Sequence, residues 1–444
     1  MSEFRSLLRL AGPIVVSQVG QMLLGTIDTL LAGRLSVEAL GAVTLGSLFQ
    51  IATLIPAYGV VMGLDPLVSQ AHGAGRPEEA GHALLRAAVM AVLLSVPVTL
   101  SWLWTSEILQ ALGQSPALAA KAELFTCAQW FAAPGFLLFG AQATYLQARG
   151  IVRPGVIVML LANVFNAVAA WALIFGKLGF AAYGVWGAGL ATGLTRVFMA
   201  LALFGLMVAL KLHHGLLAPS ATPILDVRAL WSQLRLGMPV GATLAIEVWA
   251  FQLGTLLAGR IGGTELGAHS IAINLASLAF MVPLGISMAA SARVGAFIGA
   301  LEPERAQHAA YTALKLGGSF ALCSASAFVI AGPRVCALYT PDAAVIAAAV
   351  QILPVAAAFQ LMDGLQAVSG GILRGMGRTR PSAVLNFVGY FVIGLPLGAY
   401  LGLSTSLGLV GVWLGYAAGL SVVASGLVGW VVLRGPRTVR PLTQ

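Results

Sequence analysis

Twelve stretches of about 20 apolar residues, each long enough to cross the hydrocarbon core of a bilayer, punctuate this chain. In its first half they lie near 8–31, 43–64, 83–105, 122–146, 155–176 and 185–210. In its second half they lie near 234–257, 269–292, 311–332, 344–368, 382–402 and 409–433. Lipid offers the backbone no hydrogen-bond partner, so an open segment of this kind must close its own bonds as a helix. The strict alternation of a membrane barrel strand is missing from all of them. Only 9% of the residues are charged and 59% are hydrophobic, whereas soluble domains carry about 25% charged residues. The 53 glycines fit the same setting, because small residues let membrane helices approach closely.

The chain also repeats itself. Thr29-Leu-Leu-Ala-Gly-Arg34 recurs letter for letter as Thr255-Leu-Leu-Ala-Gly-Arg260. Leu40-Gly41-Ala42 recurs as Leu266-Gly267-Ala268, and Pro13 as Pro239. Further on the register slips by one residue, so that Arg153-Pro154 meets Arg380-Pro381 and Gly184-Val185-Trp186 meets Gly411-Val412-Trp413. One unit of roughly 215 residues is used twice. The expected architecture is an all-α polytopic membrane protein, with twelve helices in two pseudo-symmetric six-helix lobes around a central cleft. The expected domains are an N-lobe at 1–210, a cytoplasmic connection at 211–228 and a C-lobe at 229–444. His213 and His214, beside Lys211 in that connection, read as solvated residues rather than metal ligands.

Positive charge gives the orientation. With the N-terminus inside, eighteen basic residues fall on the cytoplasmic side, against Arg34, Lys121, Lys177, Arg260 and Arg334 on the other. Both termini are therefore expected in the cytoplasm. An even number of spans per half makes the copies parallel repeats, related by an axis along the membrane normal. The apolar run from Leu7 is too long for a cleavable signal and leads straight into the repeat. The net charge of +9 is spread singly through short loops, without the patch or motif of a nucleic-acid binder. Cys127, Cys323 and Cys336 lack metal or redox spacing and read as small apolar filler.

Ionisable residues at membrane depth are costly and usually functional. Asp28 in span 1, Arg196 in span 6, Glu247 in span 7 and Asp363 in span 10 qualify. A carboxylate in an apolar interior is stabilised by a proton, a sodium ion or an organic cation. Competition among such cations for one site is what an antiporter requires. Arg196 either neutralises a carboxylate or snorkels toward the headgroups, and a structural role is expected for it. Asp65, before Pro66, reads as a wetted residue at a helix end. Asn163, Asn166, Trp249, Gln252, Asn274 and Phe359 lie near the charges and, with Asp28 itself, are the candidate substrate contacts. An apolar cavity with carboxylates and rings suits lipophilic cations. No phosphate-binding Gly-x-x-x-x-Gly-Lys-Ser/Thr loop is present, and no nucleophile–base set, so neither ATP-driven transport nor enzyme chemistry is expected.

These residues resemble a known family. Asp28-Thr-Leu-Leu-Ala-Gly33, Pro239-Val-Gly-Ala-Thr-Leu-Ala-Ile-Glu247 and Arg374-Gly-Met-Gly-Arg-Thr-Arg-Pro381 look like the MATE multidrug and toxic compound extrusion transporters, in particular the bacterial NorM-like branch. The resemblance covers essentially the whole chain. It implies an inner-membrane antiporter that exports lipophilic, mostly cationic drugs in exchange for Na+ or H+ by alternating access. It places the coupling ion at Glu247 and Asp363, with Asp28 and Asn166 in the N-lobe. Departures from the family pattern stand at Ala170, where a second polar residue is usual, at Phe359 in place of a tyrosine, and at Ser270 in place of a glutamine. No cofactor beyond the coupling ion is implied. The partners would be a small cationic solute and membrane lipid, with the protein a monomer. The alternative within the superfamily is a flippase for lipid-linked saccharides. It predicts a strongly cationic cavity, where this chain offers only Arg196 against three acids.

Overall fold

The computed structural model describes residues 3–213, 215–216 and 224–442. His214 and residues 217–223 of the expected connection lie outside the described residues. The described residues form helices and turns, with no strand among them. In the first half these are α1 (Glu3–Leu35), α2 (Val37–Val61), α3 (Asp65–Gly73), α4 (Pro77–Leu103), α5 (Thr105–Ala111), α6 (Pro116–Cys127), α7 (Ala132–Ala148), α8 (Arg153–Phe175) and α9 (Gly184–Ala209). The second half holds α10 (Val227–Ile261), α11 (Gly263–Gly299), α12 (Pro303–Cys336), α13 (Ala343–Gly375), α14 (Arg380–Phe387), α15 (Leu395–Ser404) and α16 (Leu409–Leu433). Among the described residues eleven helical stretches are individually long and apolar enough to span a bilayer, and α6 with α7 makes a twelfth, bent by 56°. The chain is thus a multi-pass helical membrane protein.

Local chemistry sets the helix ends. Ser36 Oγ accepts from the Ala39 amide at 3.0 Å and opens α2. The Asp342 carboxylate accepts from the amides of Ala344 and Val345 and opens α13. Each supplies an acceptor for first-turn N–H groups that have no partner within their helix. Proline begins α4, α6 and α12, where its missing N–H costs nothing. Gly176, with φ of +66°, ends α8 in the left-handed region.

Two expectations change. The second span does not stop at residue 64: a single 3-10 turn at Met62–Leu64 passes directly into α3, so the helical stretch runs from Val37 to Gly73. Asp65, expected to be wetted, is only 5% exposed. The fourth span is broken rather than continuous, turning at residues 128–131 between α6 and α7.

The chain falls into two compact units. One comprises residues 16–68 and 76–241, the other residues 1–15, 69–75 and 242–444. In the first unit α8 packs on α9, α7 on α4 and α9, and α2 on α6. The start of α10 lies there against α2, with Gly237 on the Val60 carbonyl and Gly241 against Pro56. In the second unit α13 packs against α11, α12 and α16. The start of α1 lies there against α11, where Gly285 meets Val15 and Ala11. Glu3 there receives two bonds from Arg293, at 2.9 and 2.7 Å.

Candidate functional site

The carboxylates fall into two groups, one in each unit. In the unit of residues 16–68 and 76–241, Asp28 on α1 is 3% exposed. Its Oδ2 accepts from Thr192 Oγ1 of α9 at 2.6 Å. Asn166 of α8, fully buried, stands beside the same carboxylate. Asn163, one turn earlier, donates to the carbonyls of Gly20 and Met159 at 3.0 and 2.9 Å. It therefore ties α8 to α1 about two turns from the acid. Ala170, where the family pattern places a polar residue, is buried among the apolar residues that pack α8 on α9. The polar partner of Asp28 comes instead from Thr192, on the following span.

Arg196 lies midway along α9 and does not snorkel. Its guanidinium sits over the rings of Trp102 and Phe136, at 5.8 and 5.6 Å from their centroids. Nη2 donates to Gln50 Oε1 at 3.4 Å.

In the unit of residues 1–15, 69–75 and 242–444, Glu247 of α10 and Asp363 of α13 come together, close enough to act on each other electrostatically. Asp363 is 6% exposed. Gln366, one turn beyond it, donates Nε2 to Glu247 Oε1 at 2.6 Å and to Asn386 Oδ1 at 3.2 Å. Arg374, at the end of α13, also acts on Glu247 through its charge. Tyr390, fully buried, stands in the field of both acids. It belongs to a π-helical segment, Val388–Gly394, that joins α14 to α15. Short π segments inside membrane-length helices are found frequently at functional sites. Two negative charges in one apolar setting repel, and a proton or small cation between them relieves that cost. Among the described residues no group of three or more His, Cys, Asp or Glu residues has metal-site geometry.

Rings wall this second site. Phe251 lies 5.9 Å from Phe359, 5.8 Å from Tyr390 and 5.6 Å from Tyr416, between ring centroids. Phe359 also meets Trp413 at 5.7 Å. The position of Asp28 in the first repeat is Gly254 in the second. A Cβ at Gly254 would collide with the hydroxyl and ring of Tyr416, whose hydroxyl donates to the Ala250 carbonyl at 2.8 Å.

The structure therefore sets Asn166 beside Asp28, with no hydrogen bond between them, and brings Glu247 together with Asp363. Phe359 is a packed member of the ring cluster. Trp249 and Asn274 are exposed, and Asn274 bonds only within its own helix, to Ser270. Gln252 is half-buried. Thr192, Gln366, Asn386 and Tyr390 were not expected. Gln366 and Asn386, as amides within apolar spans, carried a readable signal, while threonine and tyrosine carried none.

Comparison with known proteins gives a consistent picture. The chain matches the MatE family over residues 13–172 and 239–400. It is 33% identical over 428 residues to the multidrug resistance protein NorM of Vibrio vulnificus strain YJ016, covering 95% of this chain and 94% of that one. It is 35% identical over 429 residues to NorM of Burkholderia vietnamiensis, covering 95% and 92%. Among solved structures, the eukaryotic MATE transporter AtDTX14 superposes with a TM-score of 0.90 at 24% identity, over 98% of both chains. Another, a MATE in the bent conformation, gives 0.88 at 21% identity, over 98% and 96%. With that fold, and with family matches that take in both repeats, the chain belongs to the MatE family and is a transporter rather than an enzyme.

Proposed function

We propose that this protein is a secondary active antiporter of the bacterial inner membrane, with both termini cytoplasmic. It exports lipophilic, mostly cationic drugs and toxic compounds in exchange for Na+ or H+. The observation that carries the reading is the pair of half-buried Glu247 and buried Asp363, held in a ring-walled setting with Gln366 bonded to Glu247. A cation or proton on that pair and a cationic solute near Asp28 favour different states of the carrier, and exchange follows from that opposition. The names of the relatives, multidrug resistance proteins, support the class of cargo. Sodium takes several oxygen ligands, whereas a proton needs one carboxylate, so the coupling ion is chosen by what these two acids hold.

The test is uptake of a fluorescent lipophilic cation in proteoliposomes, under an imposed sodium gradient and then an imposed pH gradient. One gradient is expected to drive exchange, and Glu247→Gln or Asp363→Asn to reduce it to background while the protein stays folded. Wild-type rates in both variants would remove these acids from the coupling step.

A further inference from the structure

We propose that Arg196 and Gln50 form an anion-receiving subsite that takes the carboxylate of a cargo molecule. The proposal rests on the reading of the chain as a carrier of small organic solutes. Both residues sit in the interiors of membrane-length helices, Gln50 on α2 and Arg196 on α9, within one unit. Gln50 is 2% exposed. Its oxygen accepts from Arg196 Nη2, which orients the amide and leaves Nε2 as a donor. That Nε2 is buried with no acceptor among the described residues, and so is Arg196 Nη1. No ion pair joins Arg196 to Asp28, although each lies in the other's field.

Two neighbouring buried N–H donors, one of them cationic, are costly without an acceptor. A carboxylate supplies two oxygens in one plane and matches a guanidinium edge better than a spherical ion does. The rings of Trp102 and Phe136 hold the guanidinium beside Gln50 without supplying an acceptor to its N–H groups. Trp102 is itself fixed, since its indole N–H donates to Thr53 Oγ1 at 2.9 Å. Asp28, near enough to act on Arg196 through its charge, offers the opposite sign to the same molecule. A cargo carrying both an ammonium and a carboxylate would then be read at both ends.

The experiment uses the full chain in detergent and two dyes differing at one group. Rhodamine 110 bears a free carboxylate, and rhodamine 123 is its methyl ester. Binding is followed by fluorescence polarisation. Arg196→Met is expected to weaken the acid by about tenfold or more and to change the ester by about twofold at most. Gln50→Leu should show the same selectivity at smaller size, and Arg196→Lys should retain part of the acid's affinity. Should Arg196→Met not fold, the other two variants carry the comparison. Equal loss of both dyes assigns Arg196 to scaffolding and overturns the subsite, as does an unchanged acid. Acid binding that becomes equal in wild type and Arg196→Met once chloride is withdrawn, with sucrose holding the osmolality, assigns the donors to a free anion, which also overturns it. Ester binding without discrimination leaves the cation-carrier reading standing while the subsite falls. If the wild-type chain binds neither dye, both fall.

Discussion

Gln366 touches Glu247 across 119 residues of sequence, and Thr192 touches Asp28 across 164. Those separations explain which parts of the site were legible. A carboxylate within an apolar run announces itself by its cost. The groups that hold it sit on distant helices: Gln366 is marked as an amide in an apolar span but not as the partner of Glu247, and nothing in its local sequence marks Thr192 at all. Phe359 and Tyr390 show the same limit: the position expected to carry a tyrosine has none, and the hydroxyl beside the acids comes from the π segment of another span. The Gln366 bond favours the cation-free form of Glu247. Gln366→Leu should therefore lower the half-saturating concentration of the coupling ion by about tenfold and slow its release. Exchange rates in proteoliposomes at graded ion concentrations would show it, and an unchanged midpoint would assign the bond to packing alone.

At the scale of elements, helix number and approximate position were readable because hydrophobic length is a strong signal. Breaks were not. Nothing in composition alone separates the bent α6–α7 pair from a straight helix, or the π segment in the eleventh span from regular helix. That segment packs closely: Gly394 and Gly398 face Gly415 and Gly419 of α16 backbone to backbone, where any Cβ would intrude. A π segment is equivalent to an inserted residue. Deleting Val392 is expected to restore regular helix, turn Tyr390 away from Glu247 and Asp363, and abolish transport in protein that still elutes as a folded species. Tyr390→Phe is the milder control, keeping the rings and losing only the hydroxyl. Wild-type transport by the deletion variant would deny the segment a functional role.

At the scale of the whole molecule, the repeat and the compact units draw different lines. Pro13 and Pro239, equivalent in the repeat, lie just before the points where α1 and α10 pass from one unit to the other. Sequence symmetry records how the chain arose, while compactness records which side chains now pack together, and only the first can be read without coordinates. The Glu3–Arg293 pair secures the start of α1 within its unit through two parallel bonds. Glu3→Ala should lower the melting midpoint by about 2 °C. The double reversal Glu3→Arg with Arg293→Glu should recover part of what either reversal loses, as read by a double-mutant cycle.

The collision at Gly254 also fixes an order of events. A duplicated gene begins with two equal copies, so the residue at 28 and the residue at 254 were once the same. With Tyr416 where it stands, a side chain at 254 meets its hydroxyl and ring, so an aspartate returns there only if the tyrosine moves or shrinks. Either change disturbs the ring cluster for no immediate gain. The asymmetry between the copies therefore acts as a ratchet: whichever way it was first set, a single mutation back carries that cost.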